Sequence, residues 1–142
     1  MPLPAPAPGL VIGYSYLWHE EHLSGAEEGR KDRPCAIVLV AADEAGDTVV
    51  YVVPVTHRQP QDAHAVAIPD SVKRRLGLDD KPSWIVTTEL NRFVWPGYDL
   101  RPVTRDRPDT FAWGFLATET FAAVKRGIAA NRAAGLLKLV HR

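Results

Sequence analysis

The side chains best suited to chemistry cluster in two stretches. His19, Glu20, Glu21, His22, Glu27 and Glu28 lie between Trp18 and Asp32, and Thr56-His57 follows an apolar run. His19-Glu20-Glu21-His22 invites a zinc reading, because imidazole and carboxylate are zinc ligands. The zinc-protease pattern, however, sets its histidines at i and i+4 around the glutamate on a helix, whereas these are three apart in a segment rich in turn formers. No third ligand is evident, so a solvated loop is the simpler reading and a metal hydrolase using His19 and His22 stands as a rival. His57 carries the one side-chain type that ordinarily titrates near neutrality. The single Cys35 sits in the apolar run 35–42, reads as a buried structural thiol, and suits a reducing cytoplasm. Lys73-Arg74-Arg75 reads as the solvated face of a short helix rather than a nucleic-acid patch.

Charge narrows the options. Seventeen basic and seventeen acidic residues give a formal net charge of zero, so no global field draws nucleic acid to the chain. A nucleic-acid site must therefore be a local patch. The composition, 46% apolar and 24% charged, lies in the range of ordinary globular domains. Residues 1–8 alternate proline with alanine or leucine and read as an extended tail, without the basic and apolar regions of a secretory signal. Residues 9–142 are expected to form one domain, cytoplasmic and not membrane-embedded, since no apolar stretch approaches the roughly 18 to 20 residues of a span.

These residues need elements to position them. Gly9 to Leu17, with Val, Ile and two Tyr, reads as a strand, followed by a long polar loop over 18–32. Pro34 opens a second strand through Ala41 and biases Arg33 toward an extended backbone. Thr48 to Val55 pairs with it as a hairpin. A fourth strand is expected over 63–68, then a one-to-two-turn helix capped by Asp70 and closed by Gly77. A fifth strand covers 83–88 and continues toward Val94, and a short sixth covers 100–103. A final helix starts at an N-cap Thr118, presents Phe121, Val124 and Ile128 on one face, and ends at Gly135. The sum is a mainly β fold, a small SH3-like barrel with a short inserted helix and a C-terminal amphipathic helix over an opening.

Three segments in order carry a resemblance: Pro8-Gly9-Leu10-Val11-Ile12, then Gly25-Ala26-Glu27-Glu28 leading to Arg33-Pro34-Cys35-Ala36-Ile37-Val38-Leu39, then Val52-Val53-Pro54-Val55-Thr56. Together they resemble the PemK/MazF family of toxin-antitoxin ribonucleases. The likeness covers about residues 8 to 95, plus the closing helix in kind. It implies that Arg33 and Thr56 form an RNA-cleaving pair and that Glu27 or Glu28 supplies an acidic group. It also implies a homodimer with a shared groove, a cognate antitoxin as partner, single-stranded RNA as substrate and no cofactor or metal. The stretch Thr88-Glu89-Leu90-Asn91-Arg92 departs from the family's Asp-Gln-Val-Arg-like run, where substrate contacts from Asn91 and Arg92 are expected.

The side chains fit that chemistry. When an RNA 2′-hydroxyl attacks its neighbouring phosphate, a planar guanidinium stabilises the developing charge through two parallel hydrogen bonds. Arginine is a poor general base, so Arg33 is expected to stabilise charge, Thr56 to hold a phosphate oxygen, and a loop carboxylate to accept or orient the 2′-proton. Trp18 and Trp95, with Tyr16 and Tyr98, offer stacking faces for unpaired bases, and His19 and His57 are further RNA-contact candidates. If Thr56 faces the cleft, strand alternation points His57 away. A non-catalytic barrel that binds RNA, protein or a small ligand is the rival from another class. The neutral charge and the altered 88–92 stretch favour it.

Overall fold

The computed structural model describes residues 3–26, 29, 31–104 and 106–142. Eight strands and three helices are seen among them: β1 (Leu10–Tyr14), α1 (His19–Leu23), β2 (Arg33–Ala42), β3 (Thr48–Thr56), β4 (Val66–Ala67), α2 (Asp70–Leu76), β5 (Trp84–Ile85), β6 (Glu89–Val94), β7 (Ala112–Phe115), α3 (Thr118–Ala133) and β8 (Lys138–His141). The fold is mostly β, a curled, largely antiparallel sheet forming a half-barrel with a few helices. Its strands run β4-β5-β3-β2-β1-β7, with β6 paired to β3 and, in parallel, to β8.

Strand alternation builds a core on each face. Val11, Ala36, Val53 and Val55 point to the face covered by α2 and α3, where they meet Val72, Leu76 and Val124. Leu10, Ile12, Tyr14, Cys35, Ile37, Val50 and Val52 point to the other, enclosed by the curl of the sheet and joined by Tyr16 and Phe93. Both faces of β1 are thus buried, which explains its unbroken apolar sequence. Burial also pushes the Cys35 thiol well above its ordinary range, so it stays neutral. Among the described residues, no helix is long and apolar enough to cross a membrane.

Several expectations are corrected. The segment after Trp18 is not loop throughout, because the Glu21 carboxylate accepts the Trp18 N–H (3.1 Å) and starts the short helix α1. The strand expected over 63–68 shrinks to Val66–Ala67. The strand expected over 83–94 is two strands on different parts of β3, since β5 pairs with Val55-Thr56 and β6 with Val49 to Val52. No strand forms over 100–103, where Leu100 makes only an isolated bridge to Tyr14.

Asp70 and Thr118 are first helical residues rather than caps, which are Pro69 and Ala117. Gly77 does close α2, with a φ of 79° that favours glycine. The basic run on α2 is not simply solvated. Lys73 is buried, and its Nζ donates to the Lys81 carbonyl (2.6 Å), while Arg75 donates to the Phe115 carbonyl (2.9 Å). Phe121, Val124 and Ile128 of α3 pack on the core as expected, and Thr120, Gly127 and Asn131 are buried beside them as a stripe of small and polar residues that the apolar pattern did not show.

Candidate active site

The β2–β3 register pairs Cys35 with Pro54. Two residues further along each strand, the same register sets Arg33 opposite Thr56 on one face. There the core gives way to a groove of about 1050 Å³ lined by Trp18, Arg33 and Thr56, by Glu21 from α1, and by Arg58 and Asp62 from the segment after β3. Two residues 23 positions apart in the sequence thus reach one cleft.

The Arg33 guanidinium lies 5.0 Å from the centroid of the Trp18 ring, which leans edge-on against Tyr16. Its Nη1 donates to the Val55 carbonyl at 3.3 Å, and its Nε is buried without a hydrogen-bond partner among the described residues. Burial lowers the Arg33 pKa, and the Glu21 carboxylate opposes that shift. The group remains a cation with donors to spare. At Thr56, Oγ1 accepts the Arg58 N–H (3.2 Å), which closes a turn and leaves the hydroxyl proton free to donate into the groove.

The wall carrying Trp18 is set by two carboxylates. Glu21 holds the Trp18 N–H. Glu89 Oε1 accepts the His19 N–H (2.9 Å) and the Tyr16 hydroxyl (3.1 Å), and burial raises the Glu89 pKa against those bonds. Among the described residues that line the groove, Lys31, Arg33 and Arg58 are set against Glu20, Glu21 and Asp62.

The other candidates lie elsewhere. Glu27 and Glu28 lie outside the described residues. His19 contributes its backbone to α1 and does not line the groove. His57 sits beyond Thr56 in an adjoining pocket of about 110 Å³, lined on its near side by Lys31 and Arg33, with its Nε2 3.0 Å from Asp79 Oδ1. Asn91 is fully buried and clamps Leu17, accepting its N–H (2.9 Å) and donating to its carbonyl (2.8 Å). Arg92 lies between β3 and β8, its carbonyl accepting the Arg142 N–H. Trp95 donates its N–H to the Thr48 carbonyl, about 26 Å along β3 from Thr56. Among the described residues, no three His, Cys, Asp or Glu side chains converge on a metal site.

Sequence reasoning missed Glu21, Lys31 and the segment Arg58 to Asp62. The polar cluster Gln59-Pro60-Gln61-Asp62 after a strand ending in threonine was the available signal.

No family model and no curated protein sequence matches the chain. Among solved structures it is similar to an endoribonuclease from a mycobacterial species in complex with its cognate antitoxin. That similarity has a TM-score of 0.56 and 16% sequence identity, and covers 91% of this chain and 96% of that one. At this identity the two share a fold.

Proposed function

We propose that this groove cleaves single-stranded RNA by attack of a 2′-hydroxyl on the adjacent phosphate, leaving a 2′,3′-cyclic phosphate and a 5′-hydroxyl. The observation that carries the reading is the Arg33 guanidinium, packed against Trp18, partly desolvated, with its Nε unpartnered, in the same groove as Thr56. Such a fork is preorganised for an oxyanion that appears only in the transition state. Thr56 holds a phosphate oxygen. A carboxylate of the α1 to β2 wall accepts or orients the 2′-proton, with Glu21 in the groove and Glu27 and Glu28 as the residues the PemK/MazF resemblance implies. The fold shared with an endoribonuclease found in complex with its cognate antitoxin supports the same reading, and the natural inhibitor in this proposal is an antitoxin segment that fills the groove.

The nucleophile belongs to the substrate, so this mechanism needs no metal-activated water. Cleavage of a single-stranded RNA is therefore expected to proceed unchanged in EDTA. Loss of cleavage in EDTA, restored by zinc or magnesium, would overturn the mechanism in favour of a metal hydrolase.

A homodimer is part of the same proposal. Leu39, Val94 and Leu139 are large apolar residues left 39 to 50% exposed on β2, β6 and β8, close to Tyr51 in the strand register. Light scattering at tens of micromolar is expected to give twice the chain mass of 15.7 kDa. A monomer at that concentration would contradict it.

A further inference from the structure

The most buried polar residue of α3 is tied to the groove without touching it. Asn131 is fully buried, and its Nδ2 lies 3.0 Å from Asp62 Oδ2, 2.9 Å from the Thr87 carbonyl and 3.1 Å from Thr87 Oγ1. Thr87 Oγ1 in turn lies 3.1 Å from Asp62 Oδ2 and 2.9 Å from the His64 carbonyl, and the His64 N–H donates to Asp62 Oδ1 (3.1 Å). Asp62 is the last groove-lining residue of the 58–62 wall, and Thr87 lies between Val86 and Thr88, which also line the groove.

A second observation marks the same junction. Gly127, one turn before Asn131, faces the same contacts, and a Cβ there would come within 2.6 Å of the His64 carbonyl oxygen and 3.0 Å of Thr87 Cγ2. The helix backbone is pressed against both segments at the only side-chain size that fits. A solvated helix-to-loop contact needs neither a glycine nor a buried amide.

We propose that Asn131 is a positioning residue, through which α3 fixes the 58–62 wall against the 86–88 segment and so sets how tightly the groove holds RNA. This rests on the ribonuclease reading of the groove. Burial opposes ionisation of Asp62, but three neutral donors, the His64 backbone N–H, the Asn131 amide and the Thr87 hydroxyl, hold its carboxyl below its ordinary pKa. That anion anchors the wall. Removing the amide frees the wall while leaving Arg33 and Thr56 in place, so KM moves and kcat does not.

Asn131→Asp gives the diagnostic test. At low pH the 62–131 carboxyl pair shares a proton that bridges them, and at higher pH the two anions repel. In RNA-cleavage kinetics its KM is expected to match wild type at the acid end and to rise about tenfold as the pair loses that proton, the scale of one lost hydrogen bond to a charged acceptor. At each pH its kcat should stay within about twofold of wild type, which supplies the reference for every other group that titrates.

Asn131→Ala, which cannot share a proton, should show the raised KM at every pH. Variants that are folded by circular dichroism and keep the wild-type KM throughout would overturn the proposal, as would a fall in kcat at constant KM. Amide hydrogen exchange separates this idea from the function on which it rests. Should the wild-type protein cleave no RNA, faster exchange over 58–65 in Asn131→Ala, with β2 unchanged, still supports the anchor. Unchanged exchange there refutes it.

Discussion

Arg33→Lys is expected to slow cleavage of single-stranded RNA by about a hundred- to a thousandfold, the cost of removing one preorganised donor to a transition-state oxyanion. Lysine keeps the positive charge and much of the apolar stem, so the fold should survive. It loses the plane that lies against Trp18 and the fork that can hold two phosphate oxygens at once. The effect should fall on kcat, because charge on the phosphorane exists only in the transition state. Thr56→Val is expected to cost less, about tenfold, since its hydroxyl positions an oxygen and bears no charge. Its loss also releases the Arg58 N–H to solvent, at an exposed turn where water replaces it. Single-turnover rates of the three proteins, with circular dichroism to confirm folding, check this order. An Arg33→Lys protein that cleaves at the wild-type rate makes Arg33 a structural residue only.

The second large effect is on stability. The Arg142 side chain is only 4% exposed. Its Nη1 donates to the Ser15 carbonyl (2.8 Å) and Asn91 Oδ1 (3.0 Å), its Nη2 pairs with Asp99 (3.1 Å), and its guanidinium lies 5.4 Å from the Tyr14 ring centroid. The final residue of the sequence therefore joins β1, β6 and the 95–100 segment. Arg142→Ala strands a carboxylate that is 21% exposed and removes a donor from Asn91, the clamp on Leu17. Breaking one partner of a buried ion pair costs about 3 to 5 kcal/mol. For a domain of this size that is a fall in Tm of roughly 10 °C or more. Because Asn91 and Leu17 lead directly to Trp18, the variant should also bind RNA less tightly below its Tm. Calorimetry showing a Tm within 2 °C of wild type would mean that the cluster adds little.

Much of the fold was legible where one physical signal dominated. The apolar runs after Pro34 and up to Thr56 read as strands and form them, though only Cys35, Ala36 and Ile37 of the first are buried, and Gly77 and Gly135 marked helix ends through a backbone conformation that other residues avoid. What stayed hidden depends on pairing. β7 and β8 are four-residue strands, Ala-Trp-Gly-Phe and Lys-Leu-Val-His, too short for their alternation to stand out, and β8 forms only because β6 offers an edge. Asn91 looked like a substrate contact from its place in the chain. It is a buried clamp because the 15–18 segment folds back over β6.

The candidate site was legible in part. Arg33 and Thr56 stood out through short motifs, and the hairpin register that sets them face to face follows from strands of plain apolar character. The 58–62 wall did not, since a polar stretch after a strand reads as any connection until α3 and Asn131 fix its position. Neither did Glu21, whose burial comes from a helix of five residues begun by its own carboxylate.

The central claim is that the substrate's own 2′-hydroxyl is the nucleophile in this groove. Its most direct test is end-group analysis of a single-stranded RNA after incubation with the purified protein, beside the same RNA carrying a single 2′-deoxy nucleotide at the mapped cleavage position. The all-ribose strand is expected to carry 2′,3′-cyclic phosphate and 5′-hydroxyl ends, and the deoxy position is expected to remain uncut. Cleavage at the deoxy position, or products bearing 5′-phosphates, would contradict it.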